Sequence, residues 1–316
     1  MTKEGLIRKN IINNSSVCSA LCLCLAVIMI FFNSNIKSGV LLGLYYSFTT
    51  IIPTLFPFFI LSDIWSSLFT VKNEGVFAKT FERLFGINSF GISSLVSGLV
   101  CGFPIGVKVA LELYQAKKIS KDEFERLSGF ANNPSAAFII SGVGAGIIGD
   151  VKYGILLYIS IILSSIVTGV IFRKKASSSN NPIVISRQTF NLVNSIKNAA
   201  MNSISVTSFI IFFFGITSIL QSVITNPILL CIISSFLEVS GATKMAFACR
   251  SVNLTFRIIL IAFSLGFSGI SVHMQAMMFF EQNRLPKKYL LMKLCQGILA
   301  AIFTYISLQF LNFFYK

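Results

Sequence analysis

A short run of glycine, proline and lysine has the composition of an anion-binding turn: Cys101-Gly102-Phe103-Pro104-Ile105-Gly106-Val107-Lys108. Gly102 and Gly106 let the backbone approach a partner closely, and Pro104 suits the first turn of a helix. A helix N-terminus carries about half a positive charge, to which Lys108 adds a full charge. The run therefore predicts an anion site formed by Gly102, Pro104, Gly106 and Lys108.

The residues leave a second interpretation of Lys108 open. It is one helical turn before Glu112, so the two side chains can pair, or the lysine can extend to the lipid headgroups. The neighbouring glycines favour a deeper position, where insertion of a lysine costs about 2.5 to 3.5 kcal/mol. A lysine at that depth indicates a function.

The second candidate site is a polar break, Asn132-Asn133-Pro134-Ser135, that interrupts an apolar region. Asn133 suits the N-cap and Pro134 the first helical position, so we expect a helix to restart there and run through residues 139–149. Such a break exposes amides and carbonyls that are tolerated only beside protein or a water-filled cavity. We therefore expect Asn132, Asn133 and Ser135 to hydrogen-bond the substrate. The alternative is a turn between helices at the membrane surface.

Glu238 follows a helix that is too short to cross a membrane. The helix starts at Asn226-Pro227 and ends at residues 236–241, a length of about 18 Å against a hydrocarbon core of about 30 Å. This predicts half of a re-entrant or broken element with Glu238 near its end. The carboxylate is then a candidate for proton relay or cation binding, or it pairs structurally with Lys244, Arg250 or Arg257.

His273 and Gln275 are further candidates for coupling transport to an ion or proton. They belong to a glycine-rich segment, residues 266–275, that resembles the run around Gly102. His273 titrates near neutral pH, which is compatible with proton coupling, but it can also be a hydrogen-bonded residue between helices. Because it is the only histidine and no Cys-x-x-Cys occurs among seven cysteines, we predict neither a metal site nor a cofactor.

The composition places these residues in a membrane protein. Of 316 residues, 54% are apolar and 12% charged, against roughly 25% charged in soluble domains. The apolar content suffices for about eight membrane segments. The net charge of +15 is explained by basic cytoplasmic loops rather than by nucleic-acid binding. Walker-type and Gly-x-Ser-x-Gly motifs are absent and the acidic residues are scattered, so an enzyme is not expected.

The chain divides into four predicted parts. The first apolar run, residues 17–32, follows a basic start and lacks a small-x-small cleavage site, which predicts an uncleaved span with a cytoplasmic N-terminus. Pro53 and Pro57 predict a kink in the next span, and residues 72–84 suit a helix in the membrane interface. The parts are a cytoplasmic N-terminus with the first transmembrane helix (1–38), a first repeat (39–172), a basic cytoplasmic loop (173–197) and a second repeat (198–316).

Two similarities between the halves predict a duplicated fold. Phe58-Phe59-Ile60-Leu61-Ser62 resembles Phe213-Phe214-Gly215-Ile216-Thr217, and residues 117–121 align with residues 283–287. If the N-terminus and the central loop are both cytoplasmic, the repeats are inverted. Inverted repeats with discontinuous helices are common in secondary transporters. The fold class expected is therefore an all-α polytopic integral membrane protein with broken or re-entrant helices, either a transporter or a scaffold of a membrane complex.

At these motifs the chain resembles the sporulation integral membrane protein family of the YlbJ type, which belongs with the nucleoside-recognition or "Gate" domain proteins. Besides the runs at 102–108 and 132–135, the resemblance rests on Leu55-Phe56-Pro57-Phe58-Phe59, Leu237-Glu238-Val239-Ser240-Gly241 and Gly269-Ile270-Ser271-Val272-His273-Met274-Gln275.

The resemblance implies a transporter in an endospore-forming bacterium that moves dipicolinate across a membrane surrounding the forespore. A dicarboxylate suits Lys108, and its aromatic ring suits Phe103. Nucleosides, which the domain name suggests, fit the charge less well. The partners expected are the lipid bilayer and the small anion, and a second copy of the chain or other sporulation membrane proteins remain open.

Overall fold

The structure is a computed structural model and describes residues 19–20, 23–68, 75–174 and 191–314. The described residues form helices and short turns without any strand, which confirms the all-α prediction. The helices are α1 (Leu23–Phe31), α2 (Asn33–Tyr46), α3 (Ile52–Leu68), α4 (Val76–Phe85), α5 (Gly91–Cys101), α6 (Ile105–Gln115), α7 (Lys121–Ala131), α8 (Val151–Ile171), α9 (Leu192–Val223), α10 (Pro227–Leu237), α11 (Val239–Ala248), α12 (Leu254–Phe267), α13 (Gly269–Met277) and α14 (Lys287–Phe314). Two π-helical segments, Ser47–Ile51 and Phe138–Ile148, and a short 3-10 helix, Glu281–Asn283, complete the helical elements of the described residues.

Four helical segments are long and apolar enough to cross a membrane. A bent pair, α1 with the segment Asn33–Ile51, adds a fifth if its two parts, which meet at 89°, form one span. The outer face of α8 carries exposed apolar side chains, among them Ile155, Ile159 and Leu163, as a lipid-facing surface requires. The total of about eight segments stays a prediction, since other apolar segments form shorter helices. The predicted cytoplasmic N-terminus and most of the central loop lie outside the described residues.

Helices α5 and α6 form an antiparallel hairpin with its tip at Gly102-Phe103-Pro104. The Ser94 hydroxyl donates to the main-chain oxygen of Gly106 at 2.8 Å. A Cβ added to Gly98 would lie 3.3 Å from the Gly106 Cα, so the two helices approach closely because both positions lack a side chain.

Helices α10 and α11 form a second hairpin with its tip at Glu238. The Cys231 thiol donates to the main-chain oxygen of Met245 at 3.4 Å, which brings the two helices side by side. As predicted, Asn226 caps the start of α10 and Pro227 occupies its first turn. The prediction of a short element that ends at Glu238 is confirmed, and the chain turns back there into α11.

Two other helices are broken. Helix α7 ends at Ala131, and the predicted break follows at residues 132–135. The predicted N-cap is wrong by two residues: Ser135 accepts the amide of Phe138 at 3.1 Å, because the Asn133 side chain turns back to the oxygen of Phe130. In the second half, α12 and α13 are separated at Ser268, whose φ of +76° ends one helix before the next begins.

The two basic turns meet at one end of the helical bundle. The Lys121 ammonium lies 2.7 Å from a Glu281 carboxylate oxygen, and Lys288 lies 3.2 Å from Asp122. The predicted capping box, Ser120 with Glu123, starts α7 at this end. Inverted repeats would place corresponding turns at opposite ends. Residues 117–121 and 283–287 therefore do not occupy corresponding positions in two inverted repeats, and the predicted alignment of these two turns is wrong.

The two hairpins open towards opposite ends of the bundle. The α5–α6 hairpin leads directly into the Ser120 turn, so it opens at the end where the basic turns meet. Arg257, in the first turn of α12, donates to the oxygen of Phe247 near the end of α11 at 2.8 Å. Because α12 and α13 then run to Glu281 at the basic turns, the α10–α11 hairpin opens at the other end.

Helix α4 is amphipathic, as the sequence predicts. Its buried side is formed by Ala78, Phe81 and Phe85, whereas Val76 and Phe77 are exposed. Arg126 of α7 fixes the end of α4 by donating to the main-chain oxygens of Phe85 and Gly86 at 2.8 and 2.7 Å. Its position in a membrane interface stays a prediction.

Candidate functional site

A cavity of about 30 Å³ lies where the two hairpin tips and the two helix breaks converge. This volume holds about one or two water-sized molecules. The lining combines polar and aromatic residues from both halves: Gly102, Phe103, Ser135, Glu238, Ser271 and Gln275. Five of the predicted site residues thus come together although they are spread over more than half of the chain.

The first hairpin tip contacts the Asn-Pro-Ser break directly. Gly102 has a φ of +91°, and an added Cβ would lie 2.9 Å from both the Cβ and the amide nitrogen of Ser135. Glycine is therefore required at this position for two reasons, its backbone conformation and the close approach.

Two helices begin beside the cavity without a side-chain cap. These are α6, after Pro104, and α13, after Ser268. Six other helices begin at a capping side-chain oxygen, from Ser120, Asp150, Asn191, Asn226, Glu238 or Asn253. Helices α2, α4 and α5 also begin without such a cap, but their first residues are not on the cavity lining. The N-termini of α6 and α13 therefore direct their positive dipole ends, uncompensated by a side chain, at the centre of the molecule.

Lys108 is not on the cavity lining. Its ammonium lies 2.7 Å from Asp63 and 3.9 Å from Glu112, and the Asp63 carboxylate also accepts from Asn198 at 3.2 Å. The alternative pairing with Glu112 is thus present, with a nearer partner on α3. Protein carboxylates neutralise this lysine, and its predicted contact with the substrate stays a prediction.

The two asparagines of the break are fully buried and bonded to protein. Asn132 donates to the Tyr289 hydroxyl at 2.8 Å. Asn133 donates to the main-chain oxygen of Phe130 at 2.8 Å and to Ser165 at 3.3 Å. Both side chains therefore brace the break from behind, while Ser135 reaches the cavity.

Lys293 is the site residue that sequence reasoning missed. In the sequence it follows the basic residues Arg284, Lys287 and Lys288, but in the structure it is fully buried in α14. Its ammonium donates to the main-chain oxygen of Asn132 and to the Gln296 side chain, both at 2.7 Å, and Gln296 in turn donates to Asn133. None of the described carboxylates forms an ion pair with Lys293. Its apolar neighbours and the glutamine three residues later were the available signals.

His273 is buried beside this group. Its ring meets the rings of Phe267 and Tyr289 edge-on, at centroid distances of 4.8 and 5.6 Å. Neither ring nitrogen has a hydrogen-bond partner among the described residues. The alternative of a hydrogen-bonded histidine is thus not found in this part of the chain, and a coupling role stays a prediction.

Glu238 caps the helix that follows it. Its two carboxylate oxygens accept the amides of Ser240 at 2.8 Å and Gly241 at 2.5 Å. The predicted alternative, a structural ion pair, is wrong: Lys244 lies 3.6 Å above the Tyr46 ring, and Arg257 bonds to the backbone. Within the described residues Glu238 forms no ion pair with a lysine or arginine.

Comparison with known proteins supports the same family as the sequence motifs. The chain is similar to the sporulation integral membrane protein YlbJ of Bacillus subtilis (strain 168), with 25% identity over 306 residues. The similarity covers 83% of this chain and 75% of YlbJ. No protein-family model matches the chain, and no solved structure matches it. A relationship over most of both chains, added to the motifs at both hairpin tips and both helix breaks, supports the YlbJ-type sporulation membrane family.

Proposed function

We propose that this protein transports a small organic anion, dipicolinate, across a membrane surrounding the forespore during endospore formation. The observation that carries the proposal is the central cavity, since the tips of two oppositely opening hairpins and two helix breaks line it together. Discontinuous helices that meet at the membrane midplane are the usual construction of a secondary transporter site. The similarity to YlbJ supports the membrane and the sporulation context.

The opposite openings of the hairpins support an inverted repeat. One repeat comprises α3 to α8 and the other α9 to α14, and each contains a long helix, a hairpin, a broken helix and a closing long helix. In this pairing the α5–α6 hairpin corresponds to α10–α11, and the break at residues 132–135 corresponds to the break at Ser268. In this arrangement the two repeats and the first transmembrane helix together contain about eight membrane segments.

The anion is held by helix ends rather than by one ion pair. The uncapped N-termini of α6 and α13 receive the carboxylates, as in other anion sites at helix starts. The buried side chain of Lys293 lies behind the break and adds positive charge there when it is protonated. Phe103 packs against the aromatic ring, and Ser135 supplies a hydrogen bond.

The cavity is too small for an aromatic dicarboxylate, so the structure corresponds to a closed state. Entry of the substrate requires the hairpin tips to separate on one side at a time, which is the alternating access of inverted-repeat transporters. The first hairpin tip meets the break through Gly102, which has no side chain to interlock with Ser135, and this suits such a movement.

One observation favours a second candidate, a nucleoside. Glu238 places a carboxylate on the lining, and a carboxylate repels a dianion but not a neutral ligand with hydroxyl groups. The other polar side chains named on the lining are neutral. A nucleoside permease therefore remains the alternative substrate class.

Uptake into liposomes tests the proposal. Purified full-length protein is reconstituted, and uptake of dipicolinate, nucleosides and other small acids is compared with uptake by protein-free liposomes. We expect dipicolinate to accumulate, and Phe103→Ala to reduce its uptake more than that of a non-aromatic acid. Uptake of nucleosides alone supports the second candidate. If no compound enters, the protein is a non-transporting partner in a sporulation complex.

A further inference from the structure

We propose that Glu238, Ser271 and Gln275 form a sodium ion site in the central cavity. We further infer that the bound ion is transported together with the organic anion. This co-transport, unlike the binding of the ion, rests on the proposed function. The three side chains come from the second hairpin tip and from α13, and all line the same cavity.

The side-chain ligands are oxygen atoms, which hard cations prefer. The Gln275 amide oxygen and the Ser271 hydroxyl are buried to at least 99% and have no hydrogen-bond partner among the described residues. Buried polar atoms are normally paired, so two such atoms on one small cavity indicate a missing partner. A cation satisfies both, because each presents a lone pair.

The Glu238 carboxylate supplies the charge. The carboxylate accepts the main-chain amides of Ser240 and Gly241 and the Ser240 hydroxyl. A carboxylate has about four lone-pair sites, so one is left for a cation. The start of α11 favours the ionised carboxylate. Glu238 is 3% exposed and no described lysine or arginine pairs with it, so a bound cation would be the counter-ion that its ionised form needs.

A helix C-terminus contributes a negative dipole at this point, opposite the positive N-terminus of α13 on which Ser271 lies. Gly269 has a φ of +68°, and an added Cβ would lie 3.1 Å from the main-chain oxygen of Leu237, the last residue of α10. The break before α13 thus packs directly on the carbonyl end of α10. Half-helix C-termini and unwound carbonyls are typical sodium ligands in transporters.

Size and charge match one monovalent ion. A cavity of about 30 Å³ holds a single ion with little else, and one carboxylate balances one positive charge. A bound sodium ion also removes the repulsion between Glu238 and a dianion. Each ligand then raises the affinity for the other, as thermodynamic linkage requires.

Binding is tested first without any substrate. The melting midpoint of the detergent-purified full-length protein is measured against sodium concentration, with choline and potassium chloride at equal ionic strength, and radioactive sodium binding is measured in parallel. We expect sodium alone to raise the midpoint. The absence of a sodium-specific shift and of bound sodium would overturn the proposal.

The decisive variant is Ser271→Ala, because it removes a hydroxyl that has no described partner and leaves the Glu238 cap intact. We expect unchanged stability in choline and a sodium affinity reduced about 10- to 100-fold, with the same result for Gln275→Leu. In Glu238→Gln, sodium should no longer raise the melting midpoint at all. Ser264→Ala is the matched control, since Ser264 is also buried and without a described partner but is not on the lining. Equal sodium affinity in Ser271→Ala and Ser264→Ala contradicts the site.

Uptake assays with the reconstituted protein test the sodium site and the proposed substrate independently of each other. Dipicolinate uptake that requires an inward sodium gradient supports both proposals. Uptake that follows a proton gradient and ignores sodium overturns the sodium site and keeps the transport function. Sodium binding that depends on Ser271 without any dipicolinate uptake keeps the ion site and rejects dipicolinate as the substrate.

Discussion

The ammonium nitrogen of Lys293 lies 2.7 Å from the main-chain oxygen of Asn132, the first residue after α7. A cation is favourable at a helix C-terminus, where the carbonyl groups carry partial negative charge. The second partner, the Gln296 side chain, is also neutral. The break that leads to Ser135 on the cavity is therefore braced by a buried lysine, and under the proposed function this side chain supplies positive charge for the anion.

Replacing Lys293 by methionine should abolish most transport without unfolding the protein. The two lost hydrogen bonds contribute about 0.5–1.5 kcal/mol each, and removal of a buried charge offsets this loss. We expect uptake at low dipicolinate concentration to fall at least about tenfold, equivalent to about 1.4 kcal/mol of binding free energy. Melting curves in detergent and liposome uptake measure the two effects separately.

Lys121→Met is the control for Lys293→Met. Lys121 is exposed and pairs with Glu281 at the end of the bundle, so its loss should change neither stability nor uptake appreciably. Normal uptake by a well-folded Lys293→Met protein would show that this charge has no part in transport.

Gly102→Ala should destabilise the first hairpin tip. Its φ of +91° is unfavourable for alanine, and the new methyl group would meet Ser135 at 2.9 Å. Backbone strain of this kind costs about 1–3 kcal/mol. We expect a lower melting midpoint and reduced uptake. Gly142→Ala is the control, because its nearest neighbouring atom, on Phe138, would be 3.6 Å away; equal loss in both variants contradicts this account.

A double-mutant cycle on Lys108 and Asp63 decides what their ion pair does. Lys108→Met alone leaves the Asp63 carboxylate without its cation and with neutral hydrogen-bond donors such as Asn198 and Ser195, which we expect to cost about 1–3 kcal/mol of stability. Combining it with Asp63→Asn removes both charges and should restore most of that stability and near-normal uptake. Melting and uptake of the four proteins provide the measurement. A stable double variant that fails to transport would make Lys108 a substrate ligand, as its sequence context predicts.

Asp122 makes the stability of the bundle end dependent on pH. Burial raises the pKa of Asp122, but hydrogen bonds from Arg126, Lys174 and Lys288 outweigh burial and lower it to about 2. The unfolded value is about 3.9, so the folded state binds this proton less readily. The contribution to stability is therefore complete above about pH 5 and is lost as the pH falls towards about 2.

The variant Asp122→Asn isolates this contribution. The difference in melting midpoint between the wild type and the variant should be constant above about pH 5 and shrink below about pH 4. High salt should reduce the difference because the Asp122 carboxylate is partly exposed. A difference that does not change with pH would show that the three bonds do not depend on the charge of Asp122.

Local signals in the sequence were sufficient for the membrane character and for several helix boundaries. The capping box of Ser120 with Glu123 and the start of α10 at Asn226 both depend on atoms within one helical turn. The break after Ala131 follows in the same way from a proline after two asparagines. The short element at Glu238 needed only its length. Such features were predictable because the partners are neighbours in the chain.

The tertiary structure decided which polar residues meet. Lys108 pairs with Asp63, 45 residues earlier, and Lys293 bonds to Asn132, 161 residues earlier. Nothing in the apolar pattern of α14 distinguishes a lysine that reaches the membrane surface from one that faces the break. The packing of α14 against α7 and α8 settles that orientation, because burial of a charge is determined by what surrounds it and not by its own segment.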